Sequence, residues 1–143
     1  MSASKPLSKI HFAHLIPHAG SMSLIDAVDF WSDKQIICRS SSHQDPANPL
    51  RLYTGLSSMH LIEYGAQAMA IHGGLLSGKA SPGFLAAIRN VHLYSDDLSA
   101  ITSDLLITAE AALKIQDGAV YDVSIRDSKQ HLLLEARATV INL

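Results

Sequence analysis

The sequence predicts an α+β domain in which a curled antiparallel sheet wraps one long, buried helix. Two stretches carry that prediction. From Leu56 to Leu76, LSSMHLIEYGAQAMAIHGGLL, nearly every position is apolar or small, and a helix apolar on most sides is enclosed by other elements. After Pro82, the runs 84–94, 104–115, 119–126 and 132–141 are long, apolar-rich and separated by polar turns, which is the texture of strands. The sum is one helix with roughly five or six strands. No linker, composition break or internal repeat divides the 143 residues, so a single domain over 1–143 is expected, long enough to bury a core.

Taken in order, residues 1–10 are polar and expected to fray. His11 to Asp26 reads as an irregular or short helical approach, punctuated by Pro17 and Gly20-Ser21. Ala27–Trp31 and Gln35–Arg39 read as strands joined by the tight Ser32-Asp33-Lys34 connection. Residues 40–53 form a loop, because Pro46 and Pro49 exclude an ordinary ladder. Thr54 or Ser57 is the expected N-cap of the helix, and Gly73-Gly74 or Gly78 marks its end. Asp117-Gly118 signals a hairpin and Asp127-Ser128-Lys129 a second turn. Tyr121, Val123 and Ile125 alternate with Asp122, Ser124 and Arg126, giving that strand one covered and one wetter face.

Composition narrows the function classes. Hydrophobic residues make up 48% and charged residues 17%, which suits a compact protein with buried subunit surface. A net charge of −2 gives no electrostatic reason to expect nucleic acid or an anionic membrane as partner. The helix, with Glu63, Gln67 and two histidines, is not expected to span a membrane. Cys38, the single cysteine, cannot form an internal disulfide, and the N-terminus lacks a secretory pattern; both fit a cytoplasmic location.

Three motif-like stretches fail on mechanism. Gly73 to Ala80, GGLLSGKA, has phosphate-loop spacing but lacks the magnesium-binding hydroxyl and sits at a helix end. His11, His14 and His18 share a helical spacing that Pro17 breaks, with no cysteine or acid to complete a metal set, so no metal is expected. Gly55 to Met59 lacks the final glycine of a nucleophile elbow. What survives is Glu63 with Gln67. Their i, i+4 spacing stacks both on one helix face, so the amide can orient the carboxyl. A lone helical Glu is ordinarily a solvated residue favoured by the helix dipole. The flanking Leu61, Ile62, Ala66, Ala68, Met69 and Ala70 leave little room for solvent here, and a carboxyl in such surroundings needs a partner or a task.

Leu15-Ile16-Pro17-His18, followed by Met22 to Asp26, resembles the LLPHRxPxLLxD motif of bacterial 3-hydroxyacyl-ACP dehydratases of the hotdog fold. Leu61 to Ala68, LIEYGAQA, resembles their LxxEALAQA helix, and Gly83 to Val91 looks like the strand that follows. The resemblance runs in order over most of the chain, and is closer to the aryl-polyene-type dehydratase-like subunit, whose helix reads much like IEYMAQAIAAHGG. One departure stands out. The family's catalytic His lies in an HFPGNP loop, and the ungapped equivalent here is Pro49. His18, inside a matched motif, is therefore the preferred catalytic histidine; His43, heading HQDPANP, is the alternative, and otherwise a loop histidine in water. His60 and His72 are expected to meet a subunit partner or the surface.

The resemblance implies elimination of water from a 3-hydroxyacyl thioester, with a His base for the C2 proton and Glu63 acting as acid at the C3 hydroxyl. An apolar surrounding helps any carboxyl hold its proton, as such an acid must. Gln67, Gly55, Ser58 and Met59 are the expected substrate-binding residues, with backbone N–H groups near Gly55 to Ser58 polarising the thioester carbonyl. No cofactor is implied. The implied partners are an acyl carrier protein bearing the acyl-phosphopantetheine substrate and a second hotdog subunit, in a homodimer or heterodimer. A hotdog acyl-thioesterase and a non-catalytic subunit of a heteromeric dehydratase are the alternatives, since one fold serves several chemistries.

Overall fold

The structure, a computed structural model, describes residues 6–15, 23–52, 55–78, 83–95 and 97–142. Seven strands form one antiparallel sheet: β1 (Leu7–Ser8), β2 (Ala27–Trp31), β3 (Gln35–Ser40), β4 (Gly83–Leu93), β5 (Leu105–Ile115), β6 (Gly118–Arg126) and β7 (Leu132–Asn142). Their order across the sheet is β1-β2-β3-β5-β6-β7-β4. A short helix α1 (Lys9–Phe12) follows β1, and the long helix α2 (Leu61–Ser77) packs across β3, β5 and β6. Among the described residues no helix is long and apolar enough to cross a membrane.

The strands fall where apolar alternation placed them, because each face of a strand repeats every second residue. Tyr121, Val123 and Ile125 of β6 are buried, while Asp122 between them is exposed. Ile36 and Cys38 of β3 and Leu105, Ile107 and Ala109 of β5 complete the floor under the helix. Burial pushes the Cys38 thiol far up, so it stays protonated and packs as a small apolar side chain.

Four details correct or sharpen the sequence reading. Residues 7–10 do not fray: Leu7 and Ser8 pair with Val28 and Ala27 and α1 starts at Lys9, while Phe12 and Leu15, in the expected short helical approach, are buried in the core. The α-helix proper begins at Leu61. The preceding Ser58–His60 form a 3₁₀ turn whose cap is Ser57, with its Oγ accepting from the Met59 N–H at 3.2 Å. Thr54, the other cap candidate, lies outside the described residues. Gly78 ends the helix in the left-handed conformation (φ 78°), a position that favours glycine; Gly73 and Gly74 lie inside it. At the β5–β6 hairpin the positive φ belongs to Asp117 (φ 62°), and Gly118 pairs with Ile115. Glycine is required at 118 for another reason: a Cβ there would collide with the Val140 carbonyl oxygen of β7.

Candidate active site

Glu63 and Gln67 project from the same side of α2, as their spacing requires. Gln67 is buried, and its Oε1 accepts from the Leu24 N–H at 2.7 Å. That bond fixes the amide, so its Nε2 points to the Glu63 carboxylate at 3.5 Å. The carboxyl group is thus aimed by an amide that is itself anchored to the backbone 43 residues earlier. Glu63 is partly buried in a stripe formed by Met59, Ile62, Ala66, Ala70 and Gly73, all partly or largely exposed. The side chains at 66, 70 and 73 are small, and a Cβ placed on Gly73 would meet no described atom within 4 Å.

The loop after β3 is fastened to the buried side of the same helix. Tyr64 Oη meets Ser42 Oγ at 2.9 Å and accepts from Asn48 Nδ2 at 3.2 Å. Ser42 Oγ and Ser40 Oγ both donate to the Leu24 carbonyl, so the segments at 24, 40–48 and 64–67 share one hydrogen-bond network. Burial raises the Tyr64 hydroxyl, keeping it neutral. The sequence offered one signal for this network: a tyrosine inside an apolar helix needs a hydroxyl partner. Beside it lies a polar cavity of about 230 Å³, lined by Lys9, Ser23, Asp26, Ser42, Asp45 and Asn48 among others.

His43 is not a solvated loop residue. It is fully buried, and its Nε2 lies 3.0 Å from the Ile101 carbonyl. A carbonyl only accepts, so Nε2 carries the proton and Nδ1 holds a bare lone pair, with no described hydrogen-bond partner. Burial lowers its pKa, which keeps the imidazole neutral. Arg51 donates to the His43 carbonyl at 2.5 Å, and both line a second cavity of about 340 Å³ with Ser99, Ile101 and Thr102. His18 lies outside the described residues.

His72 likewise does not meet the surface. It is buried between Ser32 and Tyr121, its Nε2–H donating to the Ser32 carbonyl at 2.7 Å and its Nδ1 accepting from the Tyr121 hydroxyl at 2.6 Å. Burial lowers the imidazole and pushes the Tyr121 phenol up to about 12. His60 is partly exposed in the 3₁₀ turn. Of the expected substrate-binding positions, Met59 is 55% exposed while Ser58 is buried. Gly55 has φ 123°, and a Cβ there would approach Asp97 Oδ2 at 2.8 Å. Its N–H is engaged by the Leu52 carbonyl at 3.0 Å, and the Leu56 N–H by Asp97 Oδ1 at 3.3 Å. In this conformation neither is a free donor for a thioester carbonyl. Among the described residues no cluster of ligands could hold a metal ion.

A seven-stranded antiparallel sheet curled around one long helix that presents a glutamate is the hotdog architecture. Solved structures agree. The dehydratase heterocomplex ApeI:P from Xenorhabdus doucetiae superposes with a TM-score of 0.82 at 21% identity, covering 92% of this chain and 90% of that one. The Escherichia coli PaaI protein of the phenylacetic acid degradation operon gives 0.61 at 13% identity, covering 80% of each chain. A hypothetical thioesterase with coenzyme A from Streptococcus pneumoniae TIGR4 gives 0.58 at 16%, covering 81% and 84%. At these identities the likeness shows the fold alone. The family is fixed by sequence: residues 10–143 match the ApeP-like family, described as ApeP dehydratase, and the chain belongs to it. Comparison with curated proteins found no match.

Proposed function

We propose that this chain is a 3-hydroxyacyl-ACP dehydratase, or one subunit of such an enzyme, forming a trans-2-enoyl thioester in fatty-acid or aryl-polyene-type biosynthesis. The observation that carries this reading is the Leu24–Gln67–Glu63 relay, which anchors a carboxyl group on a partly open, apolar helix face in a chain of a dehydratase family. In the reaction a histidine takes the C2 proton of the acyl chain. Glu63 gives a proton to the C3 hydroxyl, the C3–O bond breaks, and water leaves as the C2–C3 double bond forms. His18, from the motif shared with the family, is the proposed base. His43 is the second candidate, favoured by its neutral, oriented ring with a bare Nδ1. The apolar stripe around Glu63 would take the acyl chain, and Met59 and Gln67 would border it.

A second hotdog subunit belongs to this reading. The sheet ends on β4, an eleven-residue edge strand, and an open edge of that length is a template for another strand. The ApeI:P heterocomplex has this fold. The burial of His43 favours a variant of the reading in which this chain supports a catalytic partner.

The test is purified protein incubated with a 3-hydroxyacyl-ACP, alone and with hotdog partners, with loss of one water from the acyl chain followed by mass spectrometry. Dehydration supports the reading. Activity that survives in a His18→Ala, His43→Ala double variant paired with an intact partner assigns the supporting role. Release of free thiol without dehydration would replace the reading by a thioesterase.

A further inference from the structure

One row of side chains crosses the outer face of the sheet in register: Gln35 opposite Glu110, Glu110 opposite Asp122, Asp122 opposite Arg137, and Arg137 opposite Arg89. From β3 to the β4 edge the charges therefore run neutral, negative, negative, positive, positive. Directly opposed like charges destabilise a ladder, and this row contains two such pairs. Arg137 is held by Asp122 through Nε at 2.9 Å and Nη2 at 3.1 Å. Arg89 is exposed on the edge strand and makes no ion pair with any described residue. The row thus ends on a cation with no ion-pair partner among the described residues, where the next strand would sit.

A second copy of this chain cannot supply the missing charge from its own β4. That strand, GFLAAIRNVHL, contains no acidic residue. In an antiparallel β4–β4 pairing centred near Ile88 or Arg89, each copy would add Arg89 and Arg137 to the same seam. We infer that Arg89 selects the occupant of the β4 edge: a non-identical subunit whose pairing strand places an Asp or Glu across from Arg89, with self-pairing opposed by like charge. This is specificity through a repulsive element as much as an attractive one. It rests on the two-subunit reading above, but association is measured without substrate, so its failure leaves the dehydratase chemistry standing.

The experiment uses the full chain and its Arg89→Glu, Arg89→Gln and Arg89→Lys variants, with circular dichroism confirming that each folds. Sedimentation at protein concentrations up to about 0.1 mM should show R89E associating at least about tenfold more tightly than the unmodified chain. R89Q should lie between them, and R89K should behave like the unmodified chain. Raising salt from about 0.05 to 0.5 M should tighten self-association of the unmodified chain and change R89E little. When unmodified chain and R89E are mixed in equal amounts, native mass spectrometry should show mixed dimers outnumbering dimers of the unmodified chain by more than the statistical ratio. Equal self-association of the unmodified chain and R89E would overturn the inference. So would mixed dimers at or below the statistical ratio, or a mixture that stays monomeric.

Discussion

The two sides of α2 are built on opposite terms. Leu61, Tyr64, Ala68, Ile71 and His72 face the sheet and are fully buried. Every polar atom among them is engaged: the Tyr64 hydroxyl by Ser42 and Asn48, the His72 ring by Ser32 and Tyr121. The other side carries Met59, Ile62, Glu63, Ala66, Ala70 and Gly73, which the chain itself leaves partly open. Glycines report the same division. A Cβ on Gly65 would meet Val123 at 3.0 Å and one on Gly74 would meet Leu15 at 2.9 Å, whereas Gly73 has open space. An apolar face that stays partly open among the described residues, with an anchored carboxyl group in its middle, is a surface for something else. The inner side makes the fold and the outer side makes the proposed site.

Substitutions at matched positions can break this division. The largest expected effect on stability is at Ile71: Ile71→Ala should cost about 2–5 kcal/mol through the cavity it leaves. Ile62→Ala, one face away, should cost about 1 kcal/mol or less in the isolated chain, because part of that side chain is already wet. Urea titration of both variants measures the contrast, and equal losses would erase it. Next comes the glycine pair. Gly74→Ala should destabilise by about 1–3 kcal/mol through overpacking against Leu15, while Gly73→Ala should be neutral or gain up to about 1 kcal/mol in helix propensity. Thermal melts read the sign directly.

A smaller effect should appear with pH. His72 and His43 are buried with folded-state pKa values below the ordinary 6.5. Above that value both are neutral in the folded and unfolded chain and stability does not change on their account. As pH falls through it, the unfolded chain takes up protons that the folded chain refuses, so stability falls with pH down to the folded-state values. Urea midpoints measured from about pH 7.5 down to about pH 5, the range in which histidine titrates, should decline in the parent chain. His72→Gln should start lower at neutral pH, having lost its ring contacts, but decline less steeply. An unchanged slope would show that His72 does not report on the buried side.

Much of this division is legible in the amino-acid sequence. The strands follow from period-two alternation, and the pairing of Glu63 with Gln67 follows from i, i+4 geometry. Helix burial is legible only in sum: an almost uniformly apolar sequence says that the helix is covered without saying which side its own chain covers. His72 shows the limit. Its neighbours are as apolar as those of Glu63, and only the tertiary approach of Ser32 and Tyr121 decides that it is a core residue. The same holds for His43, whose burial depends on the 97–101 turn folding over its loop, and for Leu15, whose contact needs Gly74. Leu7–Ser8 reads as a polar terminus because a two-residue strand leaves no periodic pattern. Arg89 has no sequence signal, since its meaning comes from the register that sets it opposite Arg137.

The central claim is that the open face of α2, with its anchored carboxyl group, performs the chemistry. The most direct measurement compares turnover of a 3-hydroxyacyl-ACP by the assembled enzyme carrying Glu63→Gln with that of the unmodified assembly, with thermal stability recorded for both. Loss of dehydration by about a hundredfold or more with an unchanged melting temperature is the predicted result. Turnover that survives the substitution would remove Glu63, and with it the outer face of the helix, from the reaction.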